Sequence, residues 1–234
     1  MRILAFDTAT GACSVAVRID GSLAARRFEQ MRRGQSEALI PLVDEVMKAA
    51  GIGFPDLDLL AVTVGPGAFT GVRIGLSAAR AMALAAKRPC MGVTTLEAVA
   101  AGVPAEERES GGLLVALDAK RADVYAQVFG ADLMARGGPL AVLPSEIPAH
   151  LPGGRILVAG DAAEPVIGTL TEQGIEAIKS AAPVFPDAAL VAAIAEDRWS
   201  GNRGEADPSP GPPQPLYLRP PDVTLSPNSG RLRP

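Results

Sequence analysis

The stretch "AVTVGPGAFTGVRIGLSAARAMALAA", residues 61–86, decides how the rest of the chain is read. An apolar run of strand character meets a glycine-rich loop, and the loop opens onto a long run of small residues. A strand, a glycine turn and a helix in that order belong to an α/β fold. The loop has two readings. Successive backbone N–H groups at a helix start can hold an anion. Glycine also lets a tight strand-to-helix turn pack closely, and spacing alone favours this second reading. No Gly-Lys-Ser/Thr follows, so the loop is not a Walker loop, and its third glycine comes one residue late for a dinucleotide fingerprint.

The helix beyond the loop, expected over about 72–87, carries a smooth stripe of Gly71, Gly75, Ala79 and Ala83 at fourfold spacing. Its polar residues are Arg73, Ser77, Arg80 and Lys87, and the rest is more apolar than one buried side requires. Upstream, "QSEALIPLVDEVMKAA" (35–50) has helical periodicity, with Leu39, Leu42, Val43, Val46 and Met47 on one face. Ser36 is a candidate N-cap and Gly51 a candidate C-terminal stop. Two helices with wide apolar arcs suggest burial on two sides, one against their own sheet and one against the other lobe or another protein.

The chain begins with a strand at 2–7, a second at 13–19, the turn signal Asp20–Gly21 and a third strand at 22–30, which is an antiparallel meander. Strands follow at 57–64 and 90–93, and "TTLEAVAAG" (94–102) reads as a short threonine-capped helix. The opening has an internal echo: Ile3-Leu4-Ala5-Phe6-Asp7 aligns with Leu114-Val115-Ala116-Leu117-Asp118. Two related lobes are therefore expected. The C-terminal lobe is the reduced one, with a strand at 155–160, a helix over 165–174 and little else. The expected boundaries are 1–102 for the first lobe, with 186–219 packing back on it, 103–185 for the second lobe, and an irregular proline-rich tail at 220–234.

The bulk properties narrow the classes. The chain has 234 residues, a formal net charge of −4 and 48% hydrophobic residues. It lacks the basic footprint of a free-standing nucleic-acid binder. Two cysteines, no signal-peptide core and no uncharged apolar run of spanning length point to a reduced cytoplasmic protein without a membrane segment. Metal and protease chemistry find no support. His150 is the only histidine and cannot make a paired-histidine site, and "GLSAA" (75–79) lacks the last glycine of a nucleophile elbow. Asp7, Thr8 and Thr10 in "FDTAT" either hold a phosphate or metal-bound water, or form a polar hairpin tip that satisfies its own amides. Arg26, Arg27, Arg32 and Arg33 form a local basic cluster, which is either a contact to RNA within an assembled complex or, most simply, a solvated strand end.

Taken together, "MRILAFDTATGACSVAV", "GPGAFTGVRIG" with its small-residue helix, "GVTTLEAVA", "LDAKRADVYAQVF" and the late "PLYLR" resemble the TsaB family, also called YeaZ. The resemblance covers most of residues 1–130 and returns at 215–219. It implies a two-lobed acetate and sugar kinase/Hsp70/actin fold with a ribonuclease-H-like core in each lobe. It also implies a non-catalytic scaffold in the making of threonylcarbamoyladenosine, 3′ of the anticodon in tRNAs that read codons starting with A. The implied partners are a TsaD-like transferase and a TsaE-like ATPase, with tRNA met only through the complex. The subunit alone is expected to form a homodimer through the same helices.

No catalytic residue, metal or cofactor of its own is implied, and ATP is expected only on the assembled complex. The interface is expected at Leu39, Leu42, Val43 and Val46 of the first helix and Arg73, Leu76, Ala79, Arg80 and Ala83 of the second. Ala79→Arg is then expected to break the pairing and leave the lobe folded. The alternative is a stand-alone ATP-dependent phosphotransferase or ATPase of the same fold. It would use Asp7, Thr8 and Thr10 with Gly65, Gly67, Thr70 and Gly71 of the loop as an anion or nucleotide site.

Overall fold

β1 (Arg2–Asp7), β2 (Ala12–Ile19) and β3 (Ser22–Gln30) form the antiparallel meander, and the Asp20–Gly21 turn takes positive φ at both residues. β4 (Leu59–Thr63) and β5 (Cys90–Val93) then add in parallel beside β1, giving the sheet order β3-β2-β1-β4-β5. The computed structural model describes residues 1–110, 112–201 and 211–219, so the expected tail at 220–234 lies outside the described residues.

Strand alternation sorts this sheet's side chains onto two faces. Leu4, Phe6, Val15, Val17, Leu60 and Val62 meet α1 (Gln35–Ala50) and α2 (Phe69–Ala86). Ile3, Ala5, Ala16, Leu59 and Ala61 meet α5 (Ala188–Gly201), which packs Ala188, Val191, Ala192 and Ala195 against them. Three ion pairs fasten α5 and the turn before it: Arg18–Glu196, Arg26–Asp187 and Arg198–Glu97.

The second sheet repeats the first. β6 (Gly112–Asp118), β7 (Val124–Phe129) and β8 (Leu140–Val142) are the meander, and β9 (Ile156–Ala159) and β10 (Ala177–Lys179) add in parallel, in the order β10-β9-β6-β7-β8. Asp7 and Asp118 both end the first strand of their sheet, as the echo predicts. The reduction expected of this lobe lies in its helices. α4 (Ala163–Glu172) stands where α2 stands, and a short 3-10 turn over 144–150 stands where α1 stands. β8 and β10 escape a reading from pattern because three residues carry too little alternation to register.

α3 (Thr95–Ala101) joins the lobes. Thr94 accepts from the Glu97 amide while Glu97 accepts from the Thr94 amide, a capping box that starts the helix. Its Ala98 packs on the first sheet with α5, while Leu96, Val99 and Ala100 pack on the second with Leu113, Val115 and Phe129. Two boundaries differ from expectation. α1 begins at Gln35 after Gly34 (φ 100°), not at a Ser36 cap, and α2 begins at Phe69, with no capping side chain to mark it.

Candidate interlobe cleft and helix face

The glycine loop is used for packing. Gly67 lies against the Ala9 carbonyl and Gly71 against the Thr8 carbonyl, so closely that neither position has room for a Cβ. The Ala68 amide donates to Ala9 O at 2.8 Å, and the Thr8 hydroxyl donates to Gly71 O at 2.7 Å. Below them, Gly75 sits where a Cβ would be 2.8 Å from Thr8 Oγ1 and 3.2 Å from Val62. The small-residue stripe of α2 is thus its sheet-facing side. It brings the helix onto β1, β4 and the turn after β1.

Between the lobes lies a cleft of 710 Å³. Thr8, Thr10, Gly67, Thr70 and Gly71 line it from the first lobe, as the alternative reading requires, with Arg32, Arg33 and Glu37 beside them. Asp118, Lys120 and Asp161 line it from the second. Asp7 and Gly65 do not line it. Gly65 (φ 104°) turns under the C-terminal segment, where a Cβ would meet Leu216 O. Asp7 is wholly buried and accepts from Thr63 Oγ1 at 2.5 Å and from the Ala9 amide at 3.1 Å, while its Oδ2 has no hydrogen-bond partner. Burial pushes its carboxyl up to about 7, against the opposing pull of the Thr63 bond.

A backbone amide and a lysine hold the two second-lobe carboxylates in place. The Asp118 amide donates to Asp161 Oδ1 at 2.8 Å, and Lys120 pairs with Asp118 Oδ2 at 2.6 Å. Burial raises the Asp161 carboxyl. At Asp118, burial also acts upward, but the bonds from Lys120 outweigh it and hold the group below its ordinary value. The glycine loop is packed on Thr8 and Ala9, Gly160 packs on Ala116, and Asp7 faces inward, so the loop and Asp7 do not form an open nucleotide cradle. Asp118 and Asp161 were not singled out from the sequence, although the echo that pairs Asp118 with Asp7 was the available signal.

The basic cluster divides. Arg26 pairs with Asp187 and Arg27 with Glu45, while Arg32 and Arg33 reach the cleft wall.

The expected interface residues need correction. Leu39, Leu42, Val43 and Val46 of α1, and Leu76, Ala79 and Ala83 of α2, are buried in the chain's own core. Arg73 and Arg80 are exposed, but Arg73 Nε donates to Tyr217 Oη at 3.0 Å and Arg80 Nε to Pro213 O at 3.1 Å. The helical period was read correctly and its apolar face assigned to the wrong neighbour. The exposed residues of the two helices include Ile40 (54% exposed), Pro41 and Asp44 on α1, and Ser77, Ala81, Leu84 (81% exposed) and Ala85 on α2. Ala79 has no exposed surface, so Ala79→Arg would force a cation into the core.

Comparison with known proteins places this architecture. A family model described as TsaD, tRNA N6-adenosine threonylcarbamoyltransferase, matches residues 29–143. The tRNA threonylcarbamoyladenosine biosynthesis protein TsaB of Escherichia coli is 43% identical over 127 residues, 53% of this chain and 53% of that protein. The chain thus spans about half the length of the TsaB relatives it matches. An uncharacterized protein of Mycobacterium tuberculosis is 32% identical across 94% of this chain and 93% of its own. The structure of YeaZ from Pseudomonas aeruginosa superposes with a TM-score of 0.77 at 25% identity, covering 93% of this chain and 99% of that one.

Proposed function

The chain belongs to the TsaB (YeaZ) family, and on that premise we propose that it is a non-catalytic scaffold in the biosynthesis of tRNA threonylcarbamoyladenosine. It binds and activates a TsaD-like transferase, which moves the threonylcarbamoyl group to the adenosine 3′ of the anticodon in tRNAs reading codons that start with A. A TsaE-like ATPase joins the pair. ATP belongs to the assembled complex, and tRNA is reached only through it.

The observation that carries this reading is the outward face of α1 and α2. Leu84 and Ile40 are two of the most exposed large apolar side chains among the described residues, and they stand on helices that share one face of the first sheet. Pro41, Ala81 and Ala85 are exposed on the same two helices. Exposed apolar side chains on two neighbouring helices, with the charged pair Asp44–Lys48 on the first, suit the docking of another helix pair. The TsaD-family match spans both helices, so a transferase of that family would present a related pair, and like would pack on like. A second copy of this chain meets the same requirement when the transferase is absent.

The test is an affinity pull-down of the tagged chain from its own cell lysate, read by mass spectrometry. The wild type is expected to recover a TsaD-like protein and a small ATPase, and Leu84→Asp to recover neither. Recovery of the chain alone, from lysate shown to contain the transferase, would overturn the reading. Saturable ATP hydrolysis by the pure chain, lost in Asp7→Ala, would overturn it in favour of a phosphotransferase.

A further inference from the structure

Residues 211–219 run along α2 and then reach the second lobe. Pro213 is buried beside Gly92, 3.2 Å from where a Cβ would stand, and its carbonyl is held by the Arg80 guanidinium. The Leu216 amide donates to Val64 O at 2.8 Å, at the point where β4 enters the glycine loop, and its side chain joins the first-lobe core. Tyr217 packs on Phe69 with ring centroids 5.4 Å apart, and Arg73 lies 3.6 Å over the Phe69 ring while bonding the Tyr217 hydroxyl. Two residues later Arg219 pairs with Asp123, at the tip of the β6–β7 hairpin, and stands over Tyr125.

Val64, Phe69 and Asp123 do not line the cleft themselves, but each lies within a few residues of a segment that does. The glycine loop contributes Gly67, Ala68 and Thr70 to one wall, and the β6–β7 hairpin contributes Ala119 and Lys120 to the other. Arg219 and Asp123 are 25% and 18% exposed, which sets this pair apart from the solvent-facing pairs Lys48–Asp44 and Lys120–Asp118. A largely desolvated pair is costly to break from one side, because the remaining charge is left stranded. A segment that merely covered the first-lobe core would have no use for a charge pair on the other lobe.

We propose that residues 213–219 are a strap that sets the separation of the two lobes and couples it to the first turn of α2. With Arg219 on Asp123, the hairpin tip, the glycine loop and Phe69 are held as one unit. With that pair broken, the cleft and the start of α2 loosen together. The coupling is a property of this chain alone and stands apart from the identity of any partner on α1 and α2.

Hydrogen exchange of the full chain, read by mass spectrometry, tests it with Arg219→Asp, Asp123→Arg and the double charge swap. Each single variant is expected to speed exchange by about tenfold or more in both 64–71 and 119–125. The interior of β1 and β2 keeps its protection, and the double swap restores both segments. A rise confined to 211–219, or no recovery in the double swap, would overturn the proposal. Should the single variants fail to fold, Tyr217→Ala gives a second reading. It removes the contact with Phe69 and Arg73, and faster exchange at 119–125, which Tyr217 does not anchor directly, is expected. Unchanged exchange there overturns the coupling.

Discussion

The Thr8 hydroxyl donates to the carbonyl of Gly71 across 2.7 Å in a buried bond that ties the turn after β1 to the first turn of α2. This bond, with Gly67, Gly71 and Gly75 beneath it, explains the glycine loop. The glycines let a helix lie directly on a backbone turn, so the loop launches α2 and is not left open as a cradle.

Gly71→Ala should therefore be costly. The new methyl would press on the Thr8 carbonyl, which is backbone and yields poorly, and overpacking of this kind costs about 1–3 kcal/mol. Gly168→Ala should act oppositely. Gly168 is exposed inside α4, a Cβ there meets nothing within 4 Å, and helix propensity adds about 0.5–1 kcal/mol. Urea midpoints of the two variants against the wild type check both signs. Equal midpoints for Gly71→Ala would mean that the loop is not packed as described.

The correction to the interface separates two sets of substitutions. Leu84→Asp and Ile40→Asp lie on the outward face and should change stability by no more than about 0.5 kcal/mol. Each should still weaken association with a TsaD-like subunit by about 30-fold or more, the scale of an interface hot spot. Leu42→Ala sits in the core and should cost about 2–5 kcal/mol. Ala79→Arg should fail to fold. Thermal melts and a binding isotherm on the same preparations distinguish the sets. A loss of stability in Leu84→Asp as large as in Leu42→Ala would contradict the assignment of faces.

The period of α1 and α2, the meander and the β6 echo of β1 were all legible in the sequence, because each spans five or more residues. What each helix face meets was not, since Leu42 and Ala79 read the same whether the surface against them is their own sheet or a neighbour. At the cleft, Thr8, Thr10 and the loop were visible as a short motif. Asp161 and Lys120 were not, because each is one polar residue just past a strand end, and only the packing of one lobe against the other brings it to the cleft. The roles of Arg73 and Arg80 depended on the path of residues 213–217, which no local pattern encodes.

Asp7 should leave a signature in the pH dependence of stability. Its folded carboxyl titrates at about 7, above its ordinary 3.8. Between those values the unfolded chain has lost the proton and the folded chain keeps it, so stability falls as pH rises across that range and levels above it. One proton limits the slope to about tenfold in the folding constant per pH unit. Asp7→Asn retains an oxygen for Thr63 and Ala9 and should remove this component. Urea midpoints of both proteins across the range would show a flatter profile in the variant. Identical profiles would mean that Asp7 is already ionised inside the fold.

The most direct test of the scaffold account is sedimentation of the purified chain with the TsaD-like subunit of the same cell, each first run alone. The account predicts a heterodimer that forms with the wild type and with Arg32→Ala in the cleft wall, and is lost with Leu84→Asp on α2. No complex with the wild type, or a complex that Leu84→Asp leaves intact, would contradict it.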